Sequence, residues 1–528
     1  MEAWEMTMTL EQMPVGPGRV RTASVLECLA EAVRHDPGRT AIIHAHGRLA
    51  YGSLAQAVVR LQGHLAARRS GTGPVAVVMP NTAELTVAAF ASWGAGAQVA
   101  LLNPSYTAHE LRPLLTGAAP SCLVAYAGRE QVVVDLAREL DVPVLVLGTG
   151  ELELELLAAD PDPAAVDRLG TVTPDLLATM MFTGGTTGVP KAVNHTHASL
   201  MATVQGMEAC WPTTFAEETW LNVAPLFHIW GLLMGMLNPI HGAATVITVP
   251  QFDPPAIVAA FEEHGVTVFS GGPAEIYAGL LKAPNFAGSD LSRLRVCPGG
   301  GSRFAPALLD RWRSATGAYI YEAFGMTEIA PIACNPWGRQ PRPGSVGLAA
   351  PLIELSIVDL LDPLIQLPTG SVGEIAVRAP HLTTGYHGHP DSEQWTPEGW
   401  FLTGDIGRLD EDGYLSILDR KKEMLLVGGF NVYPREIDET LMAHPAVLEA
   451  ATIGIDDDRK GQRPVSFVVL AEGADPDTDL YAQCEANLIG YKRPVAIVLA
   501  RGMLPRTPAN KIDRRGLALL WQSEGSTD

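Results

Sequence analysis

One stretch of the sequence combines the residue types that bind phosphate. It reads Thr183-Gly184-Gly185-Thr186-Thr187-Gly188-Val189-Pro190-Lys191 and directly follows the apolar segment 177–182. Glycines let backbone amides approach an anion, hydroxyls add donors and a lysine adds positive charge, so this loop is predicted to hold phosphate. It is not a Walker A loop, because Ala192 stands where that motif needs a serine or threonine for magnesium. The alternative is a plain flexible turn. It is disfavoured because eight of the nine residues are Gly, Thr, Pro or Lys.

Three further segments carry polar side chains, two of them together with glycines. The first is Tyr321-Glu322-Ala323-Phe324-Gly325-Met326-Thr327-Glu328. The second comprises Thr403-Gly404-Asp405, Asp419-Arg420-Lys421-Lys422 and Gly428-Gly429-Phe430-Asn431-Val432-Tyr433-Pro434, and the third is Pro505-Arg506-Thr507-Pro508-Ala509-Asn510-Lys511-Ile512-Asp513. Together and in this order, the four segments resemble the adenylate-forming superfamily of acyl-CoA synthetases, carrier-protein adenylation domains and firefly-type luciferases. The resemblance covers nearly the whole chain, and the acyl-CoA synthetase (AMP-dependent CoA ligase) branch fits best.

The resemblance implies where ATP and Mg²⁺ would bind. Loop 183–191 would clamp the β- and γ-phosphates, and the glycines at 299–301 with residues 322–324 would line the adenine slot. Thr327 would lie near the α-phosphate and Glu328 would hold magnesium. The residues implied to bind ATP or AMP are Thr183, Gly184, Gly185, Thr186, Thr187, Gly188, Lys191, Gly299, Gly300, Gly301, Glu322, Ala323, Phe324, Asp405 and Arg420. Among these, Asp405 would accept the ribose hydroxyls, helped by Arg420.

The resemblance also implies a catalytic lysine on a mobile domain. Lys511 would bridge the acid's carboxylate and the α-phosphate, because two anionic groups must meet there and fixed positive charge offsets their repulsion. The C-terminal domain would then rotate about Asp419, so that the segment 428–430 replaces Lys511 where CoA enters. Several relatives carry a lysine or a polar residue where this chain has Leu426 and Gly428, so the CoA contacts are less firmly implied than the ATP contacts. The alternative to a catalytic role for Lys511 is an ordinary surface lysine that is exposed to solvent.

His228 and its neighbours would form the acyl end of the site. By resemblance His228 lies beside the acyl carboxylate as a gate, where amino-acid-activating relatives typically carry an aspartate, so an amino acid substrate is disfavoured. The acyl pocket would be lined by Ile229, Trp230, Gly299, Gly325, Pro331 and Ile332. This apolar lining suits a hydrophobic carboxylic acid. Ordinary core packing is the alternative for each residue. The implied catalytic residues are Lys511, His228, Glu328 and Thr327.

The apolar pattern predicts an α/β fold. Helix-like segments 53–67 and 82–95 alternate with the apolar runs 75–79 and 99–102, which is typical of parallel βαβ units with helices on both faces of a sheet. The alternation resumes after the connector 158–174, with strand 245–249, helix 254–264 and strand 266–269. From about residue 341, short alternating segments predict an antiparallel, barrel-like module.

These segments predict at least two domains, since one hydrophobic core stops growing at roughly 250 to 300 residues. Residues 1–418 would form a large N-terminal adenylation domain of two doubly wound α/β subdomains plus the barrel-like module at about 341–418. Residues 419–528 would form a small, mobile α+β domain with its hinge at Asp419.

Composition limits the partners. The chain has 528 residues, 37 basic and 58 acidic, and a formal net charge of −21, so nucleic acid is excluded as a main partner. The six cysteines form no CxxC pair, which disfavours a zinc site or a disulfide framework and favours a reducing, cytoplasmic location. The first residues do not read as a secretory signal. Residues 220–252 lack charge, but three prolines interrupt them, so a buried helix and strand are favoured over a membrane span.

These observations favour an ATP-dependent acyl-CoA synthetase that converts a fatty, aryl or cyclic acid to acyl-AMP with release of pyrophosphate, and then to the acyl-CoA. The alternative is an enzyme that passes the acyl-AMP to a carrier protein or partner enzyme. A non-catalytic binding protein is disfavoured because Lys191, Glu328, Asp405 and Lys511 are all present. A luciferase-like oxygenase is disfavoured most. The sequence identifies neither the acid nor the oligomeric state, and a homodimer stays open.

Overall fold

The computed structural model describes residues 22–45, 47–149, 161–183, 191–388, 394–500, 502–506 and 512–524. The chain forms two compact units, the first made of Met1–Leu355 with Arg378–Glu393 and the second of Ser356–Val377 with Gln394–Asp528. Loop residues 184–190 and Lys511 lie outside the described residues.

The chain up to the predicted phosphate loop alternates helices and strands as expected. Its strands are β1 (Thr40–His44), β2 (Gly47–Ala50), β3 (Val75–Val78), β4 (Val99–Leu102), β5 (Cys122–Tyr126), β6 (Val144–Leu147) and β7 (Leu177–Phe182). Its helices are α1 (Val25–His35), α2 (Tyr51–Arg68), α3 (Ala83–Gly94), α4 (Ala108–Ala118) and α5 (Glu130–Glu139), with a 3₁₀ turn at Pro163–Arg168. The hydroxyls of Ser24, Thr82 and Thr107 cap α1, α3 and α4, which fixes where these helices begin.

The next part of the chain continues this alternation. Its strands are β8 (Ala192–Thr196), β9 (Thr219–Asn222), β10 (Thr245–Thr248), β11 (Val268–Ser270), β12 (Cys297–Gly300), β13 (Ile320–Met326), β14 (Ile329–Cys334), β15 (Leu348–Ala349) and β16 (Glu354–Val358). Its helices are α6 (His197–Cys210), α7 (Ile229–Leu232), α8 (Asn238–His241), α9 (Pro254–His264), α10 (Ala274–Leu281) and α11 (Pro306–Thr316). A π-helical turn, Leu233–Leu237, joins α7 to α8, and a 3₁₀ turn spans Phe286–Gly288.

Two largely parallel sheets form the centre of the first unit. One has the strand order β6-β5-β3-β4-β7-β8 and the other β11-β9-β10-β1-β2, and only the edge strands β8 and β2 pair antiparallel. Every residue of β3 and β4 is buried and apolar, as expected for strands covered by helices on both faces. A third sheet, β12-β13-β14-β15, begins with a parallel pair and ends in antiparallel ones. The predicted mixed α/β architecture with a large N-terminal part is confirmed.

The remaining elements belong mainly to the second unit. Its strands are β17 (Gly373–Arg378), β18 (Phe401–Leu409), β19 (Leu415–Arg420), β20 (Leu425–Val427), β21 (Phe430–Val432), β22 (Val447–Asp457), β23 (Gly461–Leu470) and β24 (Ala496–Leu499). Its helices are α12 (Pro434–Met442), α13 (Leu480–Asn487) and α14 (Arg514–Glu524), with a 3₁₀ turn at Lys421–Glu423.

The second unit contains two sheets. The predicted antiparallel module is the sheet β16-β17-β18-β19, and the second sheet, β21-β20-β23-β22 with β24 beside β23, packs against α12 to give the α+β region. This division into compact units differs from the predicted boundary, because it groups most of the module with the C-terminal segment. Asp419 lies near the end of β19 inside the second unit. A hinge at Asp419 concerns a movement and stays a prediction.

Two further expectations concern the uncharged stretch and the cysteines. Within the described part of the chain, no helix is long and apolar enough to cross a membrane. The stretch 220–252 instead contributes β9, the α7 to α8 helical segment and β10. All six cysteines are free and buried.

Candidate active site

Parallel pairing of β12 with β13 places two predicted motifs side by side. Gly299 lies opposite Glu322 and Gly300 opposite Ala323. Glu322 is buried, and its Oε1 accepts a hydrogen bond from the Phe304 backbone N–H at 3.3 Å. The residues implied to line the adenine slot are therefore neighbours in one sheet of the first unit.

The neighbouring glycines of β12 face opposite sides of that sheet, because side-chain directions alternate along a strand. A Cβ built on Gly299 would lie 2.6 Å from Phe304 Cζ, inside the core. A Cβ built on Gly300 would lie 2.9 Å from the Ala323 carbonyl oxygen and 3.5 Å from Trp230 Cζ3. Gly300 therefore faces Trp230, whereas Gly299 faces the core, and neither position accepts a side chain without movement of its neighbours.

Trp230 lies among small and aromatic residues. A Cβ built on Gly272 would lie 3.7 Å from Trp230 Cδ1 and Nε1, and the ring of Trp211 packs edge-on at 6.2 Å between centroids. The indole N–H of Trp230 has no hydrogen-bond partner among the described residues. Beside it, His228 precedes α7, and its backbone N–H donates to the Pro225 carbonyl at 3.0 Å. The predicted acyl residues Ile229 and Trp230 thus begin a helix that packs beside Gly300.

The other predicted acyl residues belong to the β13–β14 hairpin. Gly325 is exposed, and a Cβ on it would lie 3.1 Å from the Ala330 Cβ. Pro331 and Ile332 are buried within β14. Their contact with an acyl chain stays a prediction.

Three residues distant in sequence hold the turn of this hairpin. The Tyr386 hydroxyl donates to Glu328 Oε1 at 2.7 Å, the Thr383 backbone N–H donates to the Glu328 carbonyl at 2.8 Å, and His195 Nε2 donates to the Thr327 carbonyl at 2.8 Å. Burial lowers the pKa of His195 to about 4, and the bond to Thr327 opposes part of that lowering. The ring is therefore neutral at physiological pH and keeps a proton for this bond.

These supporting residues were not identified from the sequence. Tyr386 and Glu328 are 58 positions apart, and His195 and Thr327 are 132 positions apart. No local spacing signals such pairs, because folding alone brings them together.

Lys191 lies close to the same tyrosine. Its Nζ is 4.6 Å from the centroid of the Tyr386 ring, and its carbonyl accepts a hydrogen bond from the Thr183 backbone N–H at 2.9 Å. The two ends of the predicted phosphate loop are therefore joined, and its lysine shares Tyr386 with the predicted magnesium ligand Glu328.

The second unit carries the predicted ribose residues. Asp405 and Arg420 pair across β18 and β19, and Arg420 Nε forms an ion pair with the buried Asp405 Oδ1 at 2.9 Å. Asp419, which directly precedes Arg420, accepts hydrogen bonds from the backbone N–H groups of Arg420 and Arg435 at 2.7 and 2.9 Å. Burial raises the pKa of the Asp419 carboxyl, and these two bonds oppose that rise.

The predicted CoA-facing segment forms a tight turn between β20 and β21. Gly428 and Gly429 have φ angles of 61° and 83°, in the left-handed region that favours glycine. Phe430 is 55% exposed and stacks on Tyr491 at 4.5 Å between ring centroids.

Comparisons with known proteins identify the family. The profile of the AMP-binding enzyme family matches residues 29–387, and that of the AMP-binding enzyme C-terminal domain matches residues 436–511. The chain belongs to the AMP-binding enzyme family.

Several relatives of similar sequence are named as CoA ligases. The chain is 34% identical over 478 residues to a long-chain-fatty-acid–CoA ligase of Escherichia coli O6:H1, covering 84% of each chain. It is 32% identical over 509 residues to the 3-[(3aS,4S,7aS)-7a-methyl-1,5-dioxo-octahydro-1H-inden-4-yl]propanoyl:CoA ligase of Rhodococcus jostii, covering 92% of this chain and 96% of that one. The solved structure of ATP-bound MatB from Rhodopseudomonas palustris matches with a TM-score of 0.86 and 28% identity, covering 94% of this chain and 99% of that one.

Its CoA-ligase relatives, which match across most of the chain, make the protein an AMP-forming acid–thiol ligase, and such ligases use ATP, Mg²⁺ and CoA as co-substrates. The described residues contain no cluster of three or more His, Cys, Asp or Glu side chains able to hold a metal. Proteins commonly bind Mg²⁺ through one or two carboxylates together with substrate phosphates. Glu328 as its oxygen ligand stays a prediction.

Proposed function

We propose that this enzyme is an acyl-CoA synthetase for a hydrophobic carboxylic acid of the fatty, aryl or cyclic class. The observation that carries the proposal is the position of Gly300, which lies between the predicted adenine residue Ala323 and the aromatic ring of Trp230. An acid seated against Trp230 would have apolar contacts for its tail and would meet the nucleotide at Gly300. The names of the Escherichia and Rhodococcus relatives, which include a long-chain acid and a bicyclic acid, support this class.

In the first half-reaction a carboxylate oxygen attacks the α-phosphorus, and pyrophosphate leaves. Lys191 and Lys511 would offset the negative charge that accumulates, and the Tyr386 and Thr383 hydrogen bonds would keep Glu328 oriented. The magnesium ion supplies further positive charge on the phosphates. Asp405 would accept the ribose hydroxyls.

In the second half-reaction the CoA thiolate attacks the acyl carbonyl, and AMP leaves with the oxygen that the carboxylate contributed. We propose that rotation about Asp419 removes Lys511 and brings residues 428–430 into place for this step. The hinge, the cytoplasmic location and a homodimer stay predictions.

The test is pyrophosphate release from ATP and Mg²⁺ with a panel of fatty, aryl and cyclic acids, with and without CoA. The wild type is compared with Lys511→Ala and with Arg515→Ala, which removes an exposed cation from the same part of the chain. We expect acid-dependent release that Lys511→Ala lowers by at least about a hundredfold, as for loss of one electrostatic catalyst, and that Arg515→Ala leaves unchanged.

The product decides between the acceptors. Acyl-CoA formed only when CoA is added supports the synthetase. Acid-dependent pyrophosphate release without acyl-CoA would favour transfer to a carrier protein or partner enzyme. No release with any acid would contradict the proposal.

A further inference from the structure

A narrow crevice lies against Val296 and Pro298, which share the face of the extended chain that carries Gly300. It is lined by Met207, Glu208, Trp211, Thr213, Trp220, Met234, Asn238, Val268, Val296 and Pro298. Alternate residues of an extended strand share a face, so Gly300, Pro298 and Val296 form one row, about 13 Å long. Trp211 belongs to the lining and also contacts the ring of Trp230. The crevice therefore lies where the far end of the proposed acyl pocket would be.

Two residues that line this crevice, Trp220 and Asn238, each have a buried polar atom without a partner among the described residues. Trp220 is 3% exposed and its Nε1–H donates to no acceptor there. Asn238 is 2% exposed, and its Oδ1 accepts no hydrogen bond there, although its amide nitrogen donates to the Val204 carbonyl at 3.2 Å. Buried polar groups are almost always paired, so an unpaired donor and an unpaired acceptor on one crevice call for a partner.

Water does not fit this crevice in the conformation described. The space between the lining atoms is about 220 Å³ including its open side, yet nowhere between these residues does it accommodate a water-sized sphere. A ligand would have to widen it. Met207 and Met234 can move for this purpose, because methionine side chains are long and flexible. Met234 also lies in the π-helical turn 233–237, a feature frequent at functional sites.

The charge of the crevice lining disfavours the acid's carboxylate as the hydrogen-bond partner of Trp220 and Asn238. Glu208 is the one charged residue of the lining set, and its carboxylate accepts hydrogen bonds from Thr213 N at 2.8 Å and Thr213 Oγ1 at 2.9 Å. A second carboxylate would be repelled by Glu208 and by Asn238 Oδ1. The end of the acid that enters the crevice is therefore the neutral end.

We infer that the far end of the acyl pocket recognises a hydroxyl group on an otherwise apolar carboxylic acid. The hydroxyl oxygen accepts from Trp220 Nε1–H, and the hydroxyl proton is donated to Asn238 Oδ1. A ketone oxygen would pair with Trp220 alone and a methyl group with neither, whereas one hydroxyl, which both accepts and donates, satisfies both. This inference rests on the proposed function, because the acid has to enter past Trp230.

The experiment uses the full-length enzyme with straight-chain ω-hydroxy acids of increasing length and the unsubstituted acids of the same lengths. The readout is the ratio of kcat/KM for pyrophosphate release within each pair of acids. We expect the wild type to prefer the hydroxy acid roughly tenfold at one chain length, with weaker preference at shorter and longer ones, since hydrogen bonding by a buried site discriminates against analogues that lack the group. Trp220→Phe keeps an aromatic ring and removes the N–H, so it should bring this ratio close to one.

The matched control is Trp312→Phe, which removes an indole N–H from the core cluster of Phe269 on the other side of the sheet and should leave the ratio unchanged. The wild-type ratio needs no variant, so it remains a test even where Trp220→Phe fails to fold. Ratios near one at every length, or a preference that Trp220→Phe does not alter, would overturn the inference while leaving the synthetase standing. Absence of pyrophosphate release with both series and with the wider acid panel would overturn the proposed function as well.

Discussion

The hydroxyl of Tyr386 donates a hydrogen bond to the carboxylate of Glu328 at 2.7 Å. Lys191 lies 4.6 Å from the centroid of the same tyrosine ring. One buried tyrosine therefore contacts both the predicted magnesium ligand and the lysine of the predicted phosphate loop. This arrangement gives Tyr386 a positioning role that its type and place in the sequence do not indicate.

Replacing Tyr386 with phenylalanine should reduce activity without unfolding the protein. The variant keeps the ring beside Lys191 and removes the hydrogen bond to Glu328. Hydrogen bonds to charged groups contribute about 1.5 to 3 kcal/mol, so we expect kcat/KM for ATP to fall roughly 10- to 100-fold and the Mg²⁺ concentration for half-maximal rate to rise. Tyr106→Phe, which alters a half-buried tyrosine elsewhere in the first unit, is the control. An unchanged magnesium dependence in Tyr386→Phe would argue against the positioning role.

The two neighbouring glycines of β12 should respond differently to alanine. In Gly299→Ala the new Cβ meets Phe304 in the core, so the thermal midpoint should fall, consistent with an overpacking cost of about 1 to 3 kcal/mol. In Gly300→Ala the new Cβ meets Ala323 and Trp230, so ATP-dependent pyrophosphate release should fall more strongly than stability. Gly63→Ala, at an open helical position, is the control and should stabilise slightly. Equal effects of Gly299→Ala and Gly300→Ala on activity would contradict the assignment of faces.

Much of the fold follows from the sequence because the central strands are buried on both faces. The run 99–102 coincides with β4, because a short, wholly apolar run is typical of a buried strand. The segment 254–264 coincides with α9, whose ends are marked by the N-cap Asp253 and by Gly265. The motif 321–328 was not predicted to lie in a strand. The strand β13 continues to Met326 because it pairs with β14 in a hairpin, and that tertiary partner leaves no local signal.

The candidate site, like the fold, was predicted only in part. The motifs identified the backbone positions where a nucleotide would lie, and strand alternation alone could have separated Gly299 from Gly300. The side chains that hold Glu328 and Thr327 could not be found, because they come from β8 and from the segment 383–386. Trp220 and Asn238 read as core residues in an uncharged stretch, and only burial without a partner distinguishes them.

Buried histidines should make the first unit sensitive to mild acid. Burial lowers the pKa of His197, which packs against Trp93, from 6.5 to about 4. Between these two values the unfolded chain binds a proton that the folded chain does not, so stability is full above pH 6.5 and falls as the pH drops towards 4. For one histidine the free energy of unfolding falls by roughly 1.4 kcal/mol per pH unit within this range.

The thermal midpoint measured between pH 7 and pH 5 checks this expectation. His197→Gln, which does not titrate, should show a smaller fall of its midpoint than the wild type, whereas His109→Gln, at an exposed position, should follow the wild type. Identical slopes for all three proteins would show that His197 does not remain neutral in the folded state.

In the proposed mechanism the carboxylate of the acid becomes joined to the α-phosphate of ATP. The most direct measurement uses an acid whose carboxylate carries heavy oxygen, incubated with ATP, Mg²⁺ and CoA, followed by mass analysis of AMP and acyl-CoA. We expect one labelled oxygen in AMP and one retained in the acyl-CoA, because AMP leaves with the oxygen that attacked phosphorus. Acyl-CoA formed without label in AMP would contradict an acyl-adenylate intermediate and with it the proposed mechanism.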